Sequence, residues 1–119
     1  MVDQKTTISA LKEKVTIFMK ERDWEQFHSP KNMSMAIAAE AAELMELFLW
    51  LTESQSWDEL QHNKQEIAYE VADIAIALLE FSIQAKIDLS AVIVEKLAVQ
   101  EEKYPIEKAK GKTTKYTKL

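Results

Sequence analysis

Two apolar segments each carry a row of carboxylates, and these are the residues of the sequence best suited to chemistry. The segments are MSMAIAAEAAELMELFLWL (33–51) and QEIAYEVADIAIALLEF (65–81), both rich in helix-forming residues. Spacings of three and four residues keep each set of acids on one side of its helix. The acids are Glu40, Glu43 and Glu46 in the first segment and Glu66, Glu70 and Asp73 in the second.

Neither row has a basic residue to balance it. A solvated helix face usually mixes signs, because Glu–Lys pairs four residues apart stabilise a helix. No Lys or Arg lies between Lys31 and Lys64, and none lies within residues 65–85. Two such faces on adjacent helices would repel each other unless a cation lay between them. Hard divalent cations such as Mg²⁺ bind carboxylate oxygens, so the pattern favours a magnesium site over a merely solvated face.

The composition excludes several other kinds of site. A single glycine cannot form a glycine-rich phosphate loop, and the absence of cysteine excludes thiolate catalysis and Cys-zinc sites. Residues 32–85 hold one basic and ten acidic residues, and an acidic surface repels nucleic acid. No uncharged stretch reaches the ~18 residues of a membrane span, and the polar N-terminus lacks a signal core. We expect a cytoplasmic protein that binds neither nucleic acid nor membranes.

Apolar residues at helical spacing predict an all-α fold, a four-helix bundle with a basic C-terminal tail. At 119 residues the chain has the size of a single domain, 1–119. Helices are predicted over about residues 7–22, 33–52, 56–86 (in one or two pieces) and 89–104. The predicted N-caps are Asn32 or Ser34, then Ser56 with Glu59 completing a capping box, then Asp88 or Ser90.

Two other classes of function fit parts of the pattern. Di-iron bundles need Glu-x-x-His motifs, and the chain has two: Glu25 with His28, and Glu59 with His62. Both lie near predicted helix ends rather than in the middle of a helix that faces a core. A non-catalytic helical module that binds nucleotides or a protein is the other alternative. The complete set of acids argues against it.

The ordered motifs resemble a known family. Glu40-Ala-Ala-Glu43 and Glu70-Val-Ala-Asp73 resemble the E-x-x-E and E-x-x-D motifs of the MazG-like, all-α nucleoside triphosphate pyrophosphohydrolases. RDWEQFHSPKN, ELFLW, IDL, KYP and the terminal KYTKL look like the compact dCTP-pyrophosphatase branch of that superfamily. The similarity runs from about residue 21 to 119.

The resemblance implies Mg²⁺-dependent hydrolysis of a nucleoside triphosphate to a monophosphate and pyrophosphate, in nucleotide-pool house-cleaning by a homodimer or homotetramer. It implies the metal ligands Glu40, Glu43, Glu70 and Asp73. Among these Glu43 is a candidate general base, and Glu66, which lies outside the four and one turn from Glu70, is expected to support Glu70. The substrate-binding residues that it implies, together with the cations available for phosphate, are Trp24, His28, Lys31, Trp50, Lys96, Gln100, Lys103 and Tyr104.

Two positions depart from the branch. Gln100 stands where the branch usually has Asn, and Ala77 stands where it often has Tyr. An added methylene moves the hydrogen-bonding amide, and base recognition by hydrogen bonds is sensitive to such a shift. A pyrimidine substrate such as dCTP or a modified form is expected, with the base preference left open.

Overall fold

The structure, a computed structural model, describes all of residues 1–119 and is all-α. Five helices have ten or more residues, and a sixth helix has four. Short 3-10 turns lie at Glu25–Phe27 and Tyr116–Lys118. The helices are α1 (Ile8–Glu21), α2 (Pro30–Glu46), α3 (Glu53–His62), α4 (Lys64–Gln84), α5 (Leu89–Lys103) and α6 (Ile106–Ala109).

Contacts divide the chain into two compact units, Met1–Lys86 and Ile87–Leu119. The predicted single domain over residues 1–119 stays a prediction. In the first unit α4 is central: it packs most extensively against α2 and also against α1 and α3. The fully or nearly buried apolar side chains are Met19 of α1, Met33 of α2, and Ile67, Ala77 and Leu79 of α4.

Helix α2 begins earlier than the sequence predicts. Ser29 is the N-cap, and its hydroxyl accepts a hydrogen bond from the Asn32 amide at 3.1 Å. Pro30 occupies the first turn, where its fixed φ suits a helix and its missing N–H costs nothing. The prediction of Asn32 or Ser34 as the cap was wrong, because Pro30 starts this helix instead of only ending what precedes it.

Helix α2 also ends earlier than predicted, so the connection to α3 covers residues 47–52 rather than 53–55. Helix α2 ends at Glu46, and residues 47–51 continue as i to i+3 turns, such as Leu47 N–H to Leu44 C=O at 3.2 Å. Thr52 caps α3 and forms a capping box with Gln55. The predicted cap at Ser56 was wrong, since the Ser56 hydroxyl donates inside α3 to the Glu53 carbonyl.

In the second unit Asp88 caps α5, as predicted, by accepting from the Ala91 amide at 3.0 Å. The basic tail contains α6 and the second 3-10 turn. No helix of the structure is both long and apolar enough to cross a membrane.

Candidate metal centre

The packing of α2 against α4 brings two pairs of acids together. Glu40 and Glu43 lie three residues apart on α2, and Glu70 and Asp73 lie three residues apart on α4. Residues at that spacing are neighbours on a helix surface. Each helix therefore contributes a pair of carboxylates to its contact with the other helix.

The four carboxylates are close enough to share an ion. One oxygen from each lies within 4.8 Å of the others. Glu40 and Glu70 are partly buried, while Glu43 and Asp73 are exposed. The cluster thus has an inner pair and an outer pair, and the outer pair is open to solvent.

The electrostatics of the inner pair are unfavourable in the absence of a cation. Burial raises the pKa of Glu40, and the adjacent negative charge of Glu43 raises it further. The pKa of Glu70 is also raised, first by burial and then by Glu43. Asp73 contributes to both shifts. All the contributions come from burial and from other carboxyl groups, so each group resists ionisation.

Two buried oxygens in the cluster lack a hydrogen-bond donor. They are Oε2 of Glu40 and Oε2 of Glu70, one from each helix. Buried polar atoms are normally satisfied, and leaving one without a partner costs free energy. A divalent cation would satisfy both oxygens and offset the repulsion among the four charges. The oxygen-only donor set fits Mg²⁺, which binds carboxylates and substrate phosphates and keeps several waters.

Comparisons with known proteins identify the family of the chain. Residues 35–119 match the MazG-like family. The chain belongs to the MazG-like family. It is 34% identical over 104 residues to dCTP pyrophosphatase 1 of Rattus norvegicus, and 34% identical over 106 residues to that of Homo sapiens. Each match covers 86% of this chain but 61% of the relative, so the chain spans less than two thirds of these relatives.

A solved structure is similar over nearly all of its length. The crystal structure of a pyrophosphatase from Archaeoglobus fulgidus superposes with a TM-score of 0.81 at 30% identity. The match covers 88% of this chain and 98% of that one. The predicted resemblance to MazG-like pyrophosphohydrolases is confirmed, as is the all-α fold class.

Two further acids of this MazG-like chain lie outside the cluster. Glu66 is exposed one turn before Glu70, and its charge contributes to the raised pKa of Glu70. Glu46 is the exposed last residue of α2. The predicted support of Glu70 by Glu66 stays a prediction.

The first unit also holds four of the predicted substrate-binding residues. Trp24 follows α1 and is 42% exposed, while Trp50 follows α2 and is 89% exposed. Lys31 is exposed in the first turn of α2. His28 is partly buried, and its Nδ1 lies 3.1 Å from the Met19 sulfur. Their role in substrate binding stays a prediction.

The other four predicted residues lie in the second unit. Lys96 and Gln100 are exposed on α5. Lys103 ends α5, and its Nζ lies 4.7 Å from the centroid of the Tyr116 ring. Tyr104 caps α5 and meets the same ring edge to face, with the centroids 5.9 Å apart. Tyr116 thus contacts two of the predicted residues.

Sequence reasoning missed three residues with unusual surroundings. Glu80 is partly buried on α4 near His28. Arg22 stacks on the ring of Phe18, and Asp23 has a positive φ. The signal for Asp23 was present in the sequence, because Asp adopts the left-handed conformation more readily than most residues and here follows the end of a predicted helix.

Proposed function

We propose that this chain catalyses metal-dependent hydrolysis of a nucleoside triphosphate to a monophosphate and pyrophosphate. The substrate is a pyrimidine deoxynucleotide such as dCTP or a modified form, and the role is nucleotide-pool house-cleaning. The four-carboxylate cluster with its two unpartnered buried oxygens carries the proposal. The relatives named dCTP pyrophosphatase 1 support the same activity and base.

In this proposal Glu40, Glu43, Glu70 and Asp73 hold Mg²⁺. Bound Mg²⁺ would supply positive charge to the phosphoryl oxygens and lower the pKa of water in the site. The partly buried Glu40 and Glu70 anchor the ion from the two helices. The exposed Glu43 and Asp73 lie on the open side, where a triphosphate can approach.

Glu43 is the proposed general base. Its carboxylate is exposed and is close to the other three, so it can accept a proton from the attacking water and release it to solvent. Water is the nucleophile in this scheme, and no covalent enzyme intermediate is required. The products are one monophosphate and one pyrophosphate.

Base and phosphate recognition is assigned to the remaining predicted residues. Trp24 and Trp50 expose aromatic surface in the first unit, and stacking on an aromatic ring binds any base. Gln100 reads the edge of the base, and basic residues bind phosphate oxygens. The proposed set is Trp24, His28, Lys31, Trp50, Lys96, Gln100, Lys103 and Tyr104.

Self-association is part of the proposal, as a homodimer or a homotetramer. Met35 and Met45 on α2 and Val71 on α4 are each at least half exposed. Exposed apolar surface of this kind favours contact with another copy. The cytoplasmic location stays a prediction.

A panel of canonical and 5-modified NTPs and dNTPs tests the reaction by pyrophosphate release, with Mg²⁺ and with EDTA. We expect release that depends on Mg²⁺, with a pyrimidine deoxynucleotide preferred. Asp73→Asn removes one of the four carboxylates and should lose most of this release. Its matched control is Asp58→Asn, because Asp58 is exposed on α3 outside the cluster. If the folded protein releases pyrophosphate from no member, the proposal is wrong and the non-catalytic binding module becomes the better account.

A further inference from the structure

The only arginine of the chain stacks on an aromatic ring at the end of α1. The Arg22 guanidinium carbon lies 3.8 Å from the centroid of the Phe18 ring. Its Nη1 donates a hydrogen bond to the Phe18 carbonyl at 3.0 Å and lies 3.5 Å from a carboxylate oxygen of Glu21. Its charge is therefore already engaged within α1, so a role as a free phosphate ligand is disfavoured.

The same ring contacts Trp24. Phe18 and Trp24 meet edge to face, with centroids 5.5 Å apart and planes at 78°. Aromatic pairs prefer this arrangement, which adds attraction beyond the buried area. Trp24 is 42% exposed despite this contact, so part of its indole remains accessible. Phe18 therefore contacts both Arg22 and Trp24, and these three side chains are called the α1 cluster below.

The backbone between Arg22 and Trp24 forms a turn that places the indole beside the Phe18 ring. Asp23 has φ of 52°, in the left-handed region that Asp tolerates better than most residues. This turn lets the amides of both Arg22 and Trp24 donate to the Met19 carbonyl, at 3.3 and 3.0 Å. Gln26 holds the turn, because its Nε2 donates to the Asp23 carboxylate at 2.9 Å and carbonyl at 3.0 Å.

We infer that Arg22 and Asp23 are positioning residues that hold Trp24 as a preformed aromatic platform for a nucleobase. The inference rests on the proposed function in one respect, the assignment of Trp24 to base stacking. A side chain that is ordered before binding loses less entropy on binding, and the affinity rises accordingly. Trp24 is 42% exposed, and stacking of a base on this aromatic side chain is the contact that the inference requires.

The test uses protein labelled with 5-fluorotryptophan, whose three fluorine resonances are assigned by single Trp→Phe substitutions. The probe is a dCTP analogue with a methylene bridge between the first two phosphates, titrated with Mg²⁺ present. Arg22→Met removes the guanidinium and keeps an apolar stem. Lys20→Met is the matched control, because Lys20 is an exposed cation in the last turn of α1.

In Arg22→Met we expect the Trp24 resonance to move toward that of free fluorotryptophan and the Kd of the analogue to rise about threefold. Lys20→Met should leave both unchanged. The inference is overturned if the Trp24 resonance stays in place in Arg22→Met, or if it moves without a change in Kd. It is also overturned if the analogue fails to bind wild-type protein or binds without perturbing Trp24.

Substitutions at Asp23 separate the backbone from the side chain. Asp23→Gly and Asp23→Ala both remove the carboxylate, but glycine adopts positive φ freely and alanine does not. Asp23→Gly should keep the Trp24 resonance and the Kd closer to wild type than Asp23→Ala does. Identical behaviour of the two variants would contradict the role of the turn. These readouts measure binding and need no turnover. A wild-type protein that binds the analogue but hydrolyses no nucleotide would overturn the proposed reaction, and the test of Arg22 and Asp23 as positioning residues would still be decisive.

Discussion

Glu70 and Glu80 both lie on α4 and are both partly buried, but different charged groups surround them. Burial is the first cause of the raised pKa of both Glu70 and Glu80. Around Glu70 every further contribution is another carboxyl group. Near Glu80 the charge of His28 acts in the opposite direction and favours the ionised form. A group of opposite charge therefore lowers the pKa of Glu80, whereas every charged group that affects the pKa of Glu70 is another acid.

The difference indicates which acid needs an external cation. The electrostatic effect of His28 lowers the pKa of Glu80, and the imidazole contacts the sulfur of Met19, a side chain with no exposed surface. Glu70 has a buried oxygen, Oε2, without a hydrogen-bond donor. One of its carboxylate oxygens also lies within 4.8 Å of an oxygen from each of the other three acids of the cluster. The proposal of Glu70 as a metal ligand therefore rests on its burial among like charges and not on burial alone.

Removing one ligand should have the largest effect. Asp73→Asn or Glu43→Gln should lower kcat/KM by about a hundredfold or more, since each removes a charge from the metal site. Helicity should stay nearly constant, because both side chains are exposed. Pyrophosphate release and circular dichroism measure the two effects. Wild-type activity in either variant would remove the metal hypothesis, and Asp58→Asn should behave as wild type.

Glu80→Gln tests the other side of the comparison through pH. A raised pKa means that the folded state favours the neutral carboxyl, so its stabilisation is present below the ordinary pKa of 4.5 and is lost as pH rises through the raised value. Glu80→Gln should therefore exceed wild type in free energy of unfolding at pH 7 and match it below pH 4.5. Urea unfolding at both pH values measures this. A destabilised variant at pH 7 would mean that the attraction to His28 outweighs burial.

The smallest effect is expected at the base-reading position. Gln100→Asn restores the residue usual in the branch and shortens the side chain by one methylene. The ranking of substrates in the nucleotide panel should change while turnover continues, because hydrogen-bond specificity depends on the position of the amide. If the ranking is unaltered, position 100 does not read the base.

Sequence reasoning found what helical periodicity and spacing encode. Helical spacing without cations predicted one row of acids on α2 and one on α4, and the resemblance to the MazG-like family selected the two pairs among them. Asp88 was correctly included as a possible cap of α5. Sequence reasoning failed where several residues compete for one role. Ser29, Asn32 and Ser34 are all good N-caps, and only the backbone course through Pro30 selects Ser29.

Contacts that depend on tertiary packing were also missed. The partial burial of Glu80 and its approach to His28 depend on how α1, α4 and the turn between α1 and α2 pack. The oxygens of Glu40 and Glu70 become buried and unpartnered only when α2 meets α4. The spacing of residues along one helix predicts the face on which each residue lies. It does not predict which residues of the neighbouring helix pack against that face.

Direct binding of Mn²⁺, followed by the loss of its free-ion electron paramagnetic resonance signal, tests the central claim most directly. Mn²⁺ accepts the same oxygen ligands as Mg²⁺. Wild-type protein and Glu80→Gln should bind Mn²⁺ alike, and Mg²⁺ should compete for the site, whereas Asp73→Asn should bind far more weakly. Equal binding by Asp73→Asn and wild type, or no binding by the folded wild-type protein, would contradict the assignment of the four carboxylates as a metal centre.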